Sequence, residues 1–242
     1  MERRKTVNHE FFSEWSEEMA WALGFWAADG CAKEKHIISF SQKERYILER
    51  IRSLLHSDHK ISEEKIGGKS YYSLSYTSKS QYEALCYLFD MNVYRKSKTL
   101  SFPRTSSAYR VPFIRGFVDG DGCLDIRPTG YPRIHISCGS KRFAHRLVKV
   151  VEEQTGIIGT CSKDKRCPGF TTVSFDGIKG VCLAYWLYIE RPGIGLGRKR
   201  QLAERFLAWN PKHIKGNSVT SKMLLMYPHV LKDIPIHGKV QQ

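Results

Sequence analysis

A nine-residue pattern that occurs twice constrains the fold of this chain more than any other feature. Residues 22–30 read Ala-Leu-Gly-Phe-Trp-Ala-Ala-Asp-Gly, and residues 114–122 read Ile-Arg-Gly-Phe-Val-Asp-Gly-Asp-Gly. Both copies end in Asp-Gly followed by cysteine, so Asp29 corresponds to Asp121. Self-similarity of this kind predicts a fold built from two related units.

Similar patterns of residues follow the two motifs. Alternation of apolar and polar residues over a short run is typical of an antiparallel sheet with one buried face. Both halves therefore predict the order helix, strands, helix, strands, helix, in the α+β class. The alternating runs lie at 31–35, 36–41 and 71–77 in the first half and at 123–127, 133–138 and 171–175 in the second. The helical stretches lie at about 43–56, 79–90, 140–155 and 177–189.

Small residues recur at helical spacing within each motif. Gly24 and Ala28 are four residues apart, as are Gly116 and Gly120. Residues at this spacing share one helix face and let two backbones approach closely. Because a glycine inside a helix costs about 0.5–1 kcal/mol relative to alanine, close helix–helix contact is expected to offset that cost. We therefore expect these four residues to form the interface between the halves.

Each motif helix is expected to end at its Asp-Gly pair. The glycine suits a terminating left-handed residue, Pro112 suits the first turn of the second helix, and Ser16 is a plausible cap for the first. Asp29 and Asp121 would then emerge side by side. A single Asp-Gly is more often a simple turn, but the repeat with matching small residues favours a paired site. Two adjacent carboxylates need a cation, and oxygen ligands select a hard ion such as Mg²⁺.

The charge of the chain indicates a polyanionic partner. Lys and Arg number 39 against 24 Asp and Glu, for a net charge of +15. The basic residues concentrate in residues 93–111 and 191–242. Clustered positive charge raises the local concentration of nucleic acid. The alternative that charge alone leaves open is a basic, soluble surface without a partner.

The two motifs resemble the signature of the LAGLIDADG homing endonucleases, and the resemblance covers most of residues 15–208. It implies two pseudo-symmetric αββαββα repeats whose motif helices form the interface and whose sheets form a saddle on double-stranded DNA. It also implies that Asp29 and Asp121 bind metal. The first motif departs at its sixth place, where Ala27 corresponds to Asp119. That place is not the metal ligand.

The resemblance implies an activity as well as a fold. A monomer of this family would make a metal-dependent double-strand break, by phosphodiester hydrolysis, at a long pseudo-symmetric DNA site. Mg²⁺ is the expected ion, with Mn²⁺ as a substitute and Ca²⁺ as an ion that supports binding without cleavage. Two rival functions stay open on the same fold. One is an intron RNA maturase, alone or combined with the endonuclease, and the other is a non-cleaving DNA-binding regulator.

Further site residues follow from the resemblance. A polar residue at the end of the second strand usually touches the metal-bound water network, a place that Gln42 fits, with Ser140 as its counterpart. Basic residues after the last helix of each half usually polarise the central phosphate. Any such basic residue could alternatively be a solvated surface charge or a general phosphate contact. The candidates are Lys96 or Lys98 in the first half and Arg198 or Lys199 in the second.

Outward-facing side chains of the strands are expected to contact the DNA, because the polar face of each sheet is rich in hydroxyl and basic groups. An ordinary solvated sheet face is the alternative. The expected contacts are Lys33, Lys35, Ser39, Ser41, Lys43, Ser73, Ser75 and Thr77 in the first half and Asp125, Arg127, Arg133, His135, Ser137, Thr172 and Ser174 in the second.

These patterns divide the chain into four segments. We predict an N-terminal repeat over 1–92, a basic linker over 93–111, a C-terminal repeat over 112–208 and a basic extension over 209–242. The run Gly67-Gly68-Lys69-Ser70 invites comparison with a phosphate-binding loop, but Glu63 stands where the first glycine would be required.

The cysteines indicate the compartment. Their number, seven, is odd and no Cys-x-x-Cys occurs, so neither a disulfide framework nor a zinc site is suggested. We expect reduced thiols and an intracellular, reducing compartment, either cytoplasm or an organelle matrix. No apolar run approaches the roughly 18–20 residues that span a bilayer, so no membrane partner is expected.

Overall fold

A computed structural model describes residues 5–90, 96–165, 167–190, 193–209 and 227. Its secondary structure repeats, and the α+β prediction is confirmed. The first half contains α1 (Glu17–Asp29), β1 (Gly30–Lys33), β2 (Ile37–Gln42), α2 (Arg45–Leu54), β3 (Ile61–Ile66), β4 (Lys69–Thr77), α3 (Lys79–Phe89) and α4 (Lys96–Thr99). The second contains α5 (Ser107–Asp121), β5 (Gly122–Ile126), β6 (Pro132–Cys138), α6 (Lys141–Thr155), β7 (Thr160–Lys163), β8 (Thr171–Asp176), α7 (Ile178–Tyr188) and α8 (Gly197–Leu207).

Two antiparallel sheets of four strands have the same topology. The strand order is β1-β2-β4-β3 in the first and β5-β6-β8-β7 in the second. One face of each sheet is apolar and packs on helices, as with Phe40 and Leu74 in the first half and Ile136 and Phe175 in the second. The alternate side chains point to the opposite face, which carries the polar residues.

The two halves pack together through α1 and α5. A Cβ atom added to Gly24 would lie 2.0 Å from the carbonyl oxygen of Phe113, and one added to Gly116 would lie 2.0 Å from that of Trp21. A Cβ on Gly120 would lie 2.3 Å from the Cβ of Ala28. Since real Cβ atoms do not approach other atoms so closely, glycine is required at these positions. The backbones of the two motif helices are therefore in direct contact.

The prediction that Asp-Gly ends each motif helix in a left-handed residue is wrong. Gly30 (φ −87°) and Gly122 (φ −75°) are both extended. Glycine is needed here for space, because a Cβ on Gly30 would lie 2.2 Å from the Trp26 ring and one on Gly122 would lie 2.6 Å from the Val118 carbonyl oxygen. The chain thus passes directly from each helix into a strand.

The beginnings of the motif helices are partly as predicted. The Ser16 hydroxyl accepts a hydrogen bond from the Met19 amide (3.0 Å) and caps α1. Pro112, in contrast, lies in the second turn of α5 and not in its first, because the helix begins at Ser107. The last residues of the predicted linker are therefore helical.

The edge strand β3 and its inner neighbour β4 are joined by Gly67 and Gly68, both with positive φ (57° and 75°). Consecutive positive φ values are typical of a tight hairpin turn, which fits the rejection of a phosphate-binding loop. Within the described ranges, none of the helices has both the length and the apolar character needed to cross a bilayer. All seven cysteines are free thiols. The extension predicted over 209–242 lies outside the described residues apart from residues 209 and 227.

Candidate metal centre and nucleic-acid interface

Asp29 and Asp121 are the last residues of the two packed helices. The α1–α5 contact brings them together, since a Cβ on Gly120 would lie 3.4 Å from the Oδ2 atom of Asp29. Asp29 is half-buried, and Asp121 is exposed. The structure therefore places one carboxylate from each half beside the seam between the helices.

Gln42, at the end of β2, extends the site in the first half. Its Nε2 atom donates a hydrogen bond to Oδ2 of Asp29 (3.1 Å), and its Oε1 atom accepts one from the Lys43 amide (2.7 Å). These two bonds fix which end of the amide faces the carboxylate. Ser140, the predicted counterpart, is buried and caps α6 by accepting from the Phe143 amide (3.2 Å). The two halves of the site are therefore not equivalent.

Lys96 caps the end of α1. Its ammonium group donates to the carbonyl oxygens of Trp26 (2.9 Å), Ala28 (3.2 Å) and Gly30 (2.5 Å), and it lies 4.9 Å from the centre of the Trp26 ring. The last carbonyls of a helix have no partner within the helix, and a cation there also interacts well with the helix dipole. Lys98, the alternative candidate, is exposed.

Lys199 occupies the corresponding place in the second half. The side chain is 1% exposed, and its ammonium group donates to the carbonyl oxygens of Val118, Asp119 (2.7 Å) and Gly122 (2.7 Å). Arg198, the alternative candidate, is exposed and pairs with Glu44 across the two halves. The sequence did not distinguish Lys96 from Lys98 or Arg198 from Lys199. In the structure, Lys96 and Lys199 are the residues that reach the ends of the two motif helices.

The charged groups around the seam perturb one another. Desolvation raises the pKa of Asp121 to about 6, and the nearby Asp29 carboxylate adds to the effect. Desolvation also raises the pKa of Asp29, against the opposing charges of Lys199 and Lys96 and the Gln42 hydrogen bond. Burial lowers the pKa of both lysines to about 8. The pKa of both carboxyl groups is raised, so it is unfavourable for both to be ionised at once. A bound cation would make that doubly ionised state favourable.

Asp119 supports the second half of the site and was noted in the sequence only as a departure between the motifs. It is completely buried and accepts hydrogen bonds from Trp21 Nε1 (2.9 Å), Tyr188 OH (2.8 Å) and the Leu196 amide (3.2 Å). The last of these bonds holds the chain just before α8, which carries Lys199. The sequence does contain a signal for this role. Asp119 is an acidic residue in a buried helix, at the motif position where the first half has the small residue Ala27.

The outward face of the first sheet carries hydroxyl and basic side chains, most of which are exposed. Ser73 shares a hydrogen bond with Ser62 (2.7 Å), and Lys43 lies 5.4 Å from the centre of the Tyr71 ring. Lys35 lies in a turn between β1 and β2, with φ 59°. The predicted contacts that are exposed on this half are Lys33, Lys35, Ser41, Lys43, Ser75 and Thr77, and Ser39 and Ser73 are half-buried.

The outward face of the second sheet is internally paired. Arg133 donates to both carboxylate oxygens of Asp125 (3.0 and 2.5 Å), and Arg127 lies 2.6 Å from the carboxylate of Asp176. Its hydroxyl groups are paired as well. Asp164 accepts hydrogen bonds from Ser137 (2.7 Å) and Thr172 (3.1 Å), whereas Ser174 is half-buried and its backbone carbonyl accepts from Thr160. If Arg133 reads a base, its guanidinium group must therefore either leave Asp125 or contact the base while it stays paired with Asp125.

The sequence profile of the LAGLIDADG-like domain family matches residues 16–87 and 108–186, one match for each half. The chain belongs to the LAGLIDADG-like domain family. This membership confirms the resemblance drawn from the two motifs, and each matched range falls within one of the two repeats of the fold. No curated protein matches the chain in sequence.

Solved structures of similar fold include two homing endonucleases and the WhiA protein. The endonuclease I-WcaI bound to its DNA recognition sequence is 14% identical, with a TM-score of 0.57, 80% of this chain covered and 90% of that chain. I-DmoI in complex with DNA and calcium is 14% identical, with a TM-score of 0.54 and coverages of 81% and 99%. Full-length WhiA from Thermotoga maritima is 15% identical, with a TM-score of 0.56 and coverages of 90% and 69%. At these identities the likeness concerns the fold.

Proposed function

We propose that this protein is a site-specific DNA homing endonuclease that makes a metal-dependent double-strand break as a monomer. One observation carries the proposal: two packed helices end in Asp29 and Asp121, and each of these ends is capped by a lysine ammonium group, from Lys96 on α1 and from the buried Lys199 on α5. The fold by itself does not decide the matter, because it is shared by DNA-bound endonucleases and by WhiA. The chemistry of the seam between the helices favours cleavage.

The donor set fits a hard divalent ion. Asp29 and Asp121 offer carboxylate oxygens from both halves, which suits Mg²⁺ or Mn²⁺, and a bound ion would offset the desolvation and the repulsion from Asp29 that raise the pKa of Asp121. Such an ion supplies Lewis-acid stabilisation of the charge that develops on phosphodiester oxygens during hydrolysis. Gln42 would help to hold the Asp29 carboxylate in place for the ion through its hydrogen bond.

The two lysines add positive charge beside the carboxylates. Each ammonium group is held by backbone carbonyls, so its position is fixed before substrate binds. A fixed cation stabilises the negative charge of a phosphate without the cost of reorganising at the moment of reaction. Lys96 and Lys199 would therefore assist on the two DNA strands, one from each half of the chain.

A selection from DNA tests cleavage and target together. The full chain is incubated with a library of randomised duplexes in Mg²⁺, and the ends of cleaved molecules are sequenced. We expect one pseudo-symmetric site, cut on both strands. Asp29→Asn and Asp121→Asn should each remove cutting and leave specific binding in Ca²⁺ largely intact, because affinity comes mainly from phosphate contacts. The matched control is Glu83→Gln, an exposed carboxylate on α3 that should cut normally.

The same experiment separates the rival functions. Specific duplex binding without cleavage in Mg²⁺ or Mn²⁺ would identify a DNA-binding regulator and overturn the proposal. Tight binding of intron RNA without specific duplex cleavage would identify a maturase. Cutting that persists in a chelator, or activity confined to a dimer in sedimentation, would contradict the metal-dependent monomer.

Base reading by the sheets has its own test. Arg133→Ala and Lys35→Ala should each relax preference at one or two adjacent base pairs, since a base-reading contact contributes about 1–3 kcal/mol of discrimination. A phosphate contact would instead weaken all sequences alike. Asp125→Asn serves as the companion variant, because it releases Arg133 without removing it. A uniform loss of affinity in the alanine variants would refute base readout by these two residues.

A further inference from the structure

Three side chains on the outward face of the second sheet bring different metal-ligating atoms together. The sulfur of Cys123, a carboxylate oxygen of Asp125 and a ring nitrogen of His135 all lie within 4.8 Å of one another. Cys123 is the register partner of His135 across β5 and β6, and Asp125 lies two residues further along the same strand, on the same face. The cluster forms through the pairing of β5 with β6, so a search for Cys-x-x-Cys spacing in the sequence does not find it.

The chemistry of the cluster differs from that of the aspartate pair. A thiolate, an imidazole and a carboxylate form a mixed sulfur, nitrogen and oxygen set, which suits Zn²⁺ and is poorly matched to Mg²⁺. Three protein ligands leave one tetrahedral position for water. Cys123 is exposed and is a free thiol, so it is accessible to an ion from solvent.

The Asp125 carboxylate already has a positively charged partner, which would compete with a metal ion. Arg133 donates two hydrogen bonds to the Asp125 carboxylate, and His135 Nδ1 lies 3.9 Å from the same carboxylate. An ion bound by Asp125 would face the Arg133 guanidinium and would compete with it for the carboxylate oxygens. Zinc and the Arg133 ion pair are therefore alternatives at this carboxylate.

The first half of the chain provides an internal comparison. Cys31 occupies the place of Cys123 after the motif, but its register partner is Ser39 and the residue two positions further is Lys33. A cysteine in the same structural position thus lacks both other ligands and has a cation nearby instead.

We propose that Cys123, Asp125 and His135 form a zinc site on the outward face of the second sheet, separate from the aspartate pair at the ends of the motif helices. This inference goes beyond the proposed function and does not depend on cleavage. The cysteine spacing did not suggest a zinc site, because two of the three ligands are not cysteines and only strand pairing brings them together.

The test measures Co²⁺ and Zn²⁺ binding to the full, reduced chain in excess Mg²⁺. Co²⁺ should give a thiolate-to-cobalt absorption band that one equivalent of Zn²⁺ abolishes. Cys123→Ser should remove the band, and His135→Ala should weaken Zn²⁺ binding by about tenfold or more, since loss of even an indirect partner of a metal ligand costs 10–100-fold. Cys31→Ser is the matched control and should bind normally.

Two further variants make the test decisive. The double variant Asp29→Asn, Asp121→Asn should keep the Zn²⁺ affinity of the wild type, which separates this result from failure of the nuclease proposal. Arg133→Ala should raise Zn²⁺ affinity, because it removes the competitor for Asp125. Absence of the band, or equal losses in Cys31→Ser and Cys123→Ser, would overturn the proposal. Since Cys123 is exposed, circular dichroism should show a normal fold for its variant.

Discussion

Replacing Asp121 with asparagine is expected to make the metal-free protein more stable at neutral pH. The pKa of Asp121 rises from an ordinary value of 3.8 to about 6 in the folded chain, through desolvation and then through Asp29. Ionising this carboxylate therefore costs the folded state free energy. The penalty is absent below the unfolded-state pKa near 3.8, grows between there and about pH 6, and is complete above it.

The size of the effect follows from the same pKa. Two pKa units or slightly more correspond to about 3 kcal/mol at ~1.36 kcal/mol per unit. Because Asp121 is exposed, water offsets part of this desolvation and repulsion penalty, and we take about 1–2 kcal/mol as the expected gain. For a chain of this length, that gain raises the unfolding temperature by about 2–8 °C.

The assay is thermal unfolding, followed by circular dichroism in a chelator at pH 7.5 and repeated as the pH falls toward 4. Asp121→Asn should unfold at a higher temperature than the wild type at pH 7.5, and the difference should shrink at low pH. Added Mg²⁺ should stabilise the wild type and leave the variant nearly unchanged, since only the native wild type retains both carboxylates for the ion.

Asp125→Asn is the matched control, and its effect should have the opposite sign. Burial by itself would raise the pKa of Asp125, but the hydrogen bond and charge of Arg133 lower it, so ionised Asp125 stabilises the fold. This variant should therefore unfold at a lower temperature at pH 7.5. A chelator-treated Asp121→Asn protein that is less stable than the wild type at pH 7.5 would refute the claim that ionising Asp121 costs the folded state free energy.

Three other substitutions test the packing around the site by urea denaturation. Lys199→Met should cost about 1–3 kcal/mol, because buried carbonyls at the end of α5 lose their donor; unchanged stability would exclude this capping role. Gly24→Ala should cost about 3 kcal/mol or more by forcing the motif helices apart, whereas Gly197→Ala, with open space around it, should be neutral or slightly stabilising. Asp119→Asn should cost about 1–3 kcal/mol, since its amide nitrogen replaces an oxygen that accepts a hydrogen bond, and a stable variant would argue against that network.

Much of the architecture was readable from the sequence because the chain repeats. The motif helices and the central strands carry strong periodicity, and their predicted positions agree with the structure within a few residues. The edge strands β3 and β7 were not found, since only Ile61 is buried in β3 and β7 has four mainly exposed residues. These two strands are stabilised mainly by pairing with a neighbour, which leaves little trace in their own alternation. The other two edge strands, β1 and β5, lie in alternating runs that follow the motifs directly.

The details of the site depended on three-dimensional contacts. Both Lys96 and Lys98 follow the last helix of the first half, and only the folded chain shows which ammonium reaches the carbonyls of α1. The glycines after Asp29 and Asp121 were correctly placed at helix ends, but for the wrong reason. Their role is to make space for a neighbouring residue, and that requirement depends on Trp26 and Val118.

The seam between α1 and α5 has a consequence for how such chains diversify. At its tightest points it joins main-chain atoms, with Gly24 against the Phe113 carbonyl and Gly116 against that of Trp21. Main-chain atoms are common to every sequence, so this junction is generic and the halves are modular. Each half also supplies the lysine that caps its own motif helix. Recombining one half with a relative's other half would therefore preserve the joint wherever Gly24, Gly116, Gly120 and the Trp21–Asp119 pair are kept, while the two sheets remain free to acquire new specificities.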